Sequence, residues 1–306
     1  MIQQKSMSGS AWVQLIMLAM IWGASFMGAR IALDEIGPFT LVLHRVAWAM
    51  GLLWIVVLAS GQRVPRDPWL WLSFLIMGVL NNVLPFLFLA WGQLHIETGL
   101  TAIFNSCTAV FGVVVASLLF ADERLTARKG AGVLLGLLGV IIAMGFGALT
   151  HIDLRSLAQL SVLSATLCYA LAGSFARSKL THLKPMVAAT GMLTCSTLVM
   201  LPLAWTMEGP PSLALAPRTW LALGYCSLMA TGVAYLLYYS ILAKAGSGNA
   251  MLVTLLLVPV AITLGYVVLG EDLLPRHLIG FVVLALGLVV LDGRVLRRMW
   301  GRRIGV

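Results

Sequence analysis

The chain has 306 residues, of which 60% are apolar and only 10% are Asp, Glu, Lys or Arg, which excludes an ordinary water-soluble globular protein. A bilayer core of roughly 30 Å requires about 20 apolar residues per helix, so this length holds about ten spans and no large extramembrane domain. The net charge of +9 does not indicate nucleic-acid binding, because the Lys and Arg residues lie at the ends of apolar runs.

Ten apolar runs follow one another, each bounded by charged residues, Pro or Gly. In chain order they cover residues 11–29, 38–60, 69–92, 98–120, 129–147, 156–176, 185–207, 218–241, 247–269 and 277–293. Each is long enough to span a bilayer, and none shows the alternation of a barrel strand. The predicted fold is therefore an all-α integral membrane protein of ten transmembrane helices, with the first helix retained rather than cleaved as a signal peptide.

The basic residues are divided unequally between alternate loops. One set of loops, together with both termini, holds 15 of the 20 Lys and Arg, the other set holds four, and Arg45 lies within the second run. The positive-inside rule then places both termini in the cytoplasm and predicts a multi-pass protein of the inner (plasma) membrane.

The sequence also repeats itself. The spacing from Arg30 to Pro38 recurs from Arg177 to Pro185, a shift of 147, and a block of Glu, Leu, Arg and two Gly that begins at Glu123 recurs 148 residues later. This register indicates two five-helix units, residues 11–147 and 156–293, followed by a basic cytoplasmic tail, residues 294–306. Because five is odd, the second unit enters the membrane from the opposite face.

Inverted repeats are typical of secondary transporters, in which two opposed units expose a central site to each side in turn. The alternative is a duplicated packing scaffold without transport. Glu123 and Glu271, the first residues of the recurring blocks, are expected to cap helices or to pair with Arg128 and Arg276.

Polar and aromatic side chains within the spans are the candidates for a substrate site. Inserting a charged side chain at the centre of the membrane costs about 2.5–3.5 kcal/mol, so polar groups in spans face the interior of the bundle or a water-filled cavity. The candidates besides Arg45 are Asn81, Asn82, Phe86, Trp91, Asn105, Tyr169, Ser174, Tyr235 and Tyr239. Pro85 follows the two asparagines and predicts a kink there. Alternatively, the asparagines bond to neighbouring helices, and Trp91 and Tyr239 belong to the interfacial aromatic belt.

Arg45 has two interpretations. Its side chain either extends to the outer headgroups or pairs with a substrate carboxylate. No Asp or Glu lies near mid-membrane, so the sequence lacks a buried carboxylate proton relay.

Signatures of other chemistry are missing from the sequence. There is no GxxxxGK[ST], GxSxG or HExxH motif, so we expect neither ATP-driven pumping by this chain nor enzymatic activity. The four cysteines lie inside apolar runs without metal-ligand spacing, and no metal or cofactor is expected.

Several motifs together resemble a known family. Trp22-Gly23-Ala24-Ser25-Phe26, the pair Pro38 and Arg45, and the two Glu/Gly blocks are similar to the paired EamA domains of the drug/metabolite transporter superfamily, and most similar to its YddG-type aromatic amino-acid exporters. The resemblance implies a central cavity lined by the first four helices of each unit, although Met192 stands where a second arginine would match Arg45.

The expected function is export of small metabolites, in particular amino acids including aromatic ones, by alternating access across the inner membrane. The expected partners are this small-molecule substrate and the lipid bilayer. One alternative is export of cationic drugs, although the sequence has no evident mid-membrane carboxylate to balance the charge of such a cargo. The other alternative is a non-transporting membrane scaffold.

Overall fold

The computed structural model describes residues 9–121, 126–145, 154–245 and 253–292. Every regular element in these ranges is a helix, which confirms the all-helical class. In chain order the helices are α1 (Gly9–Ala32), α2 (Pro38–Ala59), α3 (Pro68–Gln93), α4 (Thr98–Leu119), α5 (Ala127–Met144), α6 (Leu154–Lys179), α7 (Pro185–Glu208), α8 (residues 217–245), α9 (Val253–Leu269) and α10 (Pro275–Asp292). The first eight are long and apolar enough to cross a membrane, and α9 and α10 are shorter apolar helices. The predicted tail, residues 294–306, lies outside the described residues.

Proline marks the start of half of these helices. The missing N–H of proline costs nothing in the first turn, where no intrahelical acceptor exists. The five residues concerned are Pro38, Pro68, Pro185, Pro217 and Pro275.

Three helices are interrupted. Helix α3 consists of Pro68–Gly78, a π-helical segment Val79–Val83, and Leu84–Gln93. The backbone N–H of Leu84 bonds to the carbonyl five residues earlier, and Pro85 has no N–H to continue the regular ladder, which explains the interruption that its position predicts.

The other two interruptions have no proline at the break. Helix α4 breaks between Thr98–Asn105 and Thr108–Leu119, and α8 consists of Pro217–Gly224, a π-helical segment Tyr225–Val233, and Ala234–Ala245.

Contacts of α4 place two segments of the chain at opposite ends of the bundle. At the start of α4, Glu271 from the α9–α10 connection accepts hydrogen bonds of 2.8 Å from both the backbone nitrogen and the hydroxyl of Thr98. Beyond the other end of α4, the Phe120 ring lies 4.3 Å from the guanidinium carbon of Arg177, near the end of α6. The α9–α10 connection and the residues that follow α4 therefore lie at opposite ends of the bundle. The expectation that Glu271 caps a helix is confirmed, whereas Glu123 lies outside the described residues.

Carboxylates tie the connections together at the end that holds Glu271, which we call the acidic end. Glu208, at the end of α7, accepts hydrogen bonds from the backbone nitrogens of Phe39 (3.0 Å) and Thr40 (2.7 Å) at the start of α2. Further contacts at this end are Arg30–Asp34, Asp34–Arg218, Glu35 to the backbone of Ala216, and Glu97–Arg155. These contacts join the ends of α1, α2, α7 and α8 to one another, and they join the α3–α4 connection to the start of α6.

The opposite end, which we call the basic end, has a different character. A cavity of about 240 Å³ lies there, lined by Gln62, Arg63, Pro65, His182, Leu183, Lys184 and Val187. Its charged lining residues are therefore basic, in contrast to the carboxylates of the acidic end.

Helices α5 and α10 pack backbone to backbone. A methyl group on Gly139 would lie 2.5 Å from the backbone nitrogen of Leu284 and 2.7 Å from the carbonyl oxygen of Gly280. Gly132 and Gly287 make a second such contact, so the small residues of the recurring block create a close helix pair.

We expect Gly139→Leu to separate this pair and to destabilise the protein by about 3 kcal/mol, because the added side chain meets backbone rather than a flexible neighbour. Gly130→Leu in the same helix is the matched control, since nothing lies within 4 Å of a methyl group at Gly130. The measurement is the thermal unfolding midpoint of the purified protein in detergent. Equal midpoints for the two variants would contradict the packing argument.

Candidate substrate site

A group of four polar side chains from three helices lies in the interior of the bundle. It consists of Asn81 and Asn82 in the π-helical segment of α3, Ser196 in α7 and Tyr235 in α8, and we call it the Asn–Tyr cluster. The Tyr235 hydroxyl accepts a hydrogen bond from the Asn81 amide (3.0 Å) and donates one to the Asn82 amide oxygen (2.9 Å). The Asn82 amide nitrogen donates to the Ser196 hydroxyl at 3.0 Å. The cluster therefore connects the two halves of the chain.

The cluster lies near the middle of α3. Asn82 comes 14 residues after the start of this 26-residue helix, which is about 21 Å along a length of about 39 Å. Gly78 allows α3 to approach α7 closely, since a methyl group there would lie 2.8 Å from the Met192 carbonyl oxygen and from the Ser196 hydroxyl. Asn82 and Ser196 are fully buried as a result, whereas Asn81 and Tyr235 are half-buried and keep part of their side chains accessible.

Arg45 points into the bundle rather than toward the headgroups. Its guanidinium carbon lies 3.9 Å from the centre of the Phe86 ring, and Phe86 is buried. Its Nε donates a hydrogen bond of 3.1 Å to the Thr231 hydroxyl of α8. Of the two interpretations of Arg45, the one in which the side chain extends to the outer headgroups is therefore wrong.

Side-chain donors support the irregular backbone of α8 beside Arg45. The Thr231 hydroxyl donates to the Cys226 carbonyl (2.9 Å), and the Trp22 indole of α1 donates to the Ala230 carbonyl (3.0 Å). These bonds satisfy carbonyl groups that the π-helical segment leaves less well paired. Arg45, through Thr231, is therefore connected to the least regular part of α8.

The structure brings together six of the ten candidates. Tyr169 in α6 and Tyr235 both pack against the hydrophobic cluster that contains Phe86, so they join the group that contains Phe86 and the two asparagines. Met192, the counterpart of Arg45 in the second half, also lies here, with its sulfur 3.6 Å from the Asn81 amide nitrogen.

Among the described residues, the structure shows no hydrogen bond from Trp91, Asn105 or Ser174 to this group, and the fourth remaining candidate is Tyr239. Trp91 packs edge-on against His95 near the acidic end, with 5.0 Å between the ring centres. Asn105 lies at the break of α4, and its buried amide oxygen has no partner in the described part of the chain. Ser174 is buried in α6, where its backbone carbonyl accepts a hydrogen bond from Ser178. Tyr239 belongs to α8, but its side chain lies outside what the structure describes.

Sequence reasoning missed two members of the site, Ser196 and Thr231. A signal existed for Ser196, because α7 carries four hydroxyl side chains within eight residues: Thr190, Thr194, Ser196 and Thr197. All four donate to carbonyls of their own helix, and Ser196 differs because its hydroxyl also accepts a hydrogen bond from the Asn82 amide.

The sequence matches a known family over most of its length. The sequence pattern of the EamA-like transporter family matches residues 9–145 and, a second time, residues 156–291. The chain belongs to the EamA-like transporter family. It is a multi-pass membrane protein, as the apolar helices and the related transporters indicate.

Relatives of this EamA-like transporter align along nearly their whole length. A probable terminal-alkyne amino-acid exporter of Streptantibioticus cattleyicolor is 25% identical, over 95% of this chain and 96% of the relative. The uncharacterized transporter YoaV of Bacillus subtilis is 20% identical, over 90% of this chain and 94% of the relative. A solved crystal structure with 18% sequence identity covers 96% of this chain and 99% of its own with a TM-score of 0.68, which supports the fold.

Proposed function

We propose that this EamA-like transporter exports small zwitterionic metabolites, in particular amino acids including aromatic ones, across the inner membrane by alternating access. The observation that carries the proposal is the Asn–Tyr cluster, where accessible amide and phenol groups from both halves of the chain face each other beside Arg45 and Phe86. Amide groups can bond the amino and carboxyl groups of such a substrate, and aromatic faces can stack on its side chain. The relative that is named as a probable terminal-alkyne amino-acid exporter supports the same substrate class. The resemblance of the sequence to the YddG-type exporters favours aromatic amino acids among the substrates.

The arrangement of the helices supports alternating access. Residues 11–147 and 156–293 form the two proposed five-helix units, and the second is threaded in the opposite direction to the first. The opposite placement of the Glu271 and Phe120 contacts is what such an inverted repeat requires. The acidic end then faces the outside and the basic end, with both termini, faces the cytoplasm.

The two ends differ in a way that suits a gate. The carboxylate contacts close the acidic end, and the interruptions in α3 and α8 beside the site are places where helices bend at low cost. Release of substrate to the outside would require the contacts at the acidic end to separate.

Transport by the purified protein in liposomes tests the proposal. We expect liposomes that contain the protein and are preloaded with an unlabelled amino acid to accumulate the same labelled amino acid, with the largest flux for apolar or aromatic ones. Protein-free liposomes measure the leak. Absence of flux for all of the twenty common amino acids would overturn the proposal, and flux of cationic dyes in their place would favour the drug-exporter alternative.

A further inference from the structure

The guanidinium group of Arg45 has more donors than the chain uses. A guanidinium carries five N–H donors, and the stack on Phe86 uses none of them. Only Nε has an acceptor, the Thr231 hydroxyl at 3.1 Å. Within the described ranges, the four N–H groups on the two terminal nitrogens have no hydrogen-bond partner.

The positive charge of Arg45 also lacks a counter-charge among the residues that the structure describes. The ion pairs among the described residues are Arg30–Asp34, Asp34–Arg218 and Glu97–Arg155, all at the acidic end. All acidic residues in the described part of the chain lie at helix ends or in connections. They are Asp34, Glu35, Asp67, Glu97, Glu208, Glu271, Asp272 and Asp292. An arginine within a span that has no partner in its own chain is costly, and such residues mark substrate or ion pathways.

The free edge of a guanidinium fits one ligand group particularly well. Two parallel N–H donors match the two oxygens of a carboxylate, and this bidentate pair is stronger than bonds between neutral groups. Arg45 is half-buried, so part of its side chain remains accessible, and Phe86 holds the guanidinium plane in place. Met192, at the equivalent position of the second half, offers a thioether instead, so only one side of the site can bind an anionic group.

We propose, on the basis of the proposed function, that Arg45 binds the carboxylate of the transported molecule. The protein should then select carboxylate-bearing substrates and discriminate against amines of the same shape.

Three probes that differ in one group test this inference in liposomes. L-phenylalanine carries both charged groups, 3-phenylpropionate lacks the amino group, and 2-phenylethylamine lacks the carboxylate. We expect 3-phenylpropionate to compete with labelled phenylalanine and 2-phenylethylamine to compete at least tenfold more weakly. This comparison uses the unmodified protein, so it does not depend on whether a variant folds.

Two variants then assign the selectivity to Arg45. Arg45→Gln should lower phenylalanine flux at least tenfold and remove the difference between acid and amine, whereas Arg45→Lys, which keeps the charge, should retain the preference for the acid. Equal competition by the acid and the amine in the unmodified protein would overturn the inference and leave the proposed function intact. An unchanged acid-to-amine ratio in Arg45→Gln would also overturn it, because a merely structural role lowers all fluxes together. Absence of phenylalanine flux overturns the inference, and absence of flux for every amino acid overturns the proposed function as well.

Discussion

Tyr235→Phe is expected to lower amino-acid flux at least tenfold while the helices remain assembled. The Tyr235 hydroxyl accepts from Asn81 and donates to Asn82, so its removal takes one hydrogen-bond partner from each of the two amides. Each buried polar group that loses its partner costs about 1–3 kcal/mol, and a difference of 1.4 kcal/mol corresponds to a factor of ten in binding. The ring itself is retained, so apolar packing changes little.

A second tyrosine of the same protein supplies the control for this result. Tyr266 in α9 is 66% exposed, so Tyr266→Phe removes an identical atom outside the site. Initial rates of exchange in liposomes should fall for Tyr235→Phe and remain unchanged for Tyr266→Phe. Asn82→Ala should behave like Tyr235→Phe. If all three variants export normally, the cluster only packs the helices and the scaffold alternative gains support.

Glu208→Gln is expected to open the acidic end. The Glu208 carboxylate bonds two backbone N–H groups at the start of α2, where the helix dipole adds to the attraction for negative charge. A glutamine side chain offers one oxygen and no charge, so we expect the contact to weaken by about 1–2 kcal/mol. Arg45 lies on α2 five residues after Thr40, so movement at this contact is transmitted to the site.

The rate at which a cysteine at position 40 reacts with a membrane-impermeant thiol reagent measures this opening. Thr40 is only 5% exposed, and Thr40→Cys preserves the size of the side chain. We expect Glu208→Gln to raise this rate about tenfold. Asp67→Asn removes a carboxylate cap from the start of α3 at the basic end and should leave the rate unchanged. Equal rates with and without Glu208→Gln would show that the carboxylate does not hold the acidic end closed.

The helices could be predicted because the membrane imposes their length. Runs of about 20 apolar residues have few alternatives in lipid, and proline fixes where α2, α3, α7, α8 and α10 begin. The interruption of α3 could be anticipated for the same reason, since Pro85 removes a backbone donor. The interruption of α8 could not, because no proline lies at the break and the Trp22 indole that bonds its Ala230 carbonyl approaches only after the helices pack.

The sequence indicated which types of residue line the site, but it did not indicate which residues contact one another. Asn81, Asn82 and Tyr235 are conspicuous because polar groups are rare in spans, whereas Ser196 resembles the other hydroxyls of α7 until packing places it 3.0 Å from Asn82. Arg45 shows the limit most clearly. Its two interpretations could not be separated by sequence, because they differ only in the direction of a long side chain, which Phe86 and Thr231 determine.

The sidedness of two engineered cysteines tests the inverted arrangement most directly. Asp272→Cys lies in the connection at the acidic end, and Ala121→Cys follows α4 at the other end, while the four native cysteines are buried. In intact cells we predict that an impermeant thiol reagent labels the cysteine at position 272, and labels the one at position 121 only after the membrane is made permeable. Labelling of both positions from the same side would contradict the two opposed five-helix units, and with them alternating access to the Asn–Tyr cluster.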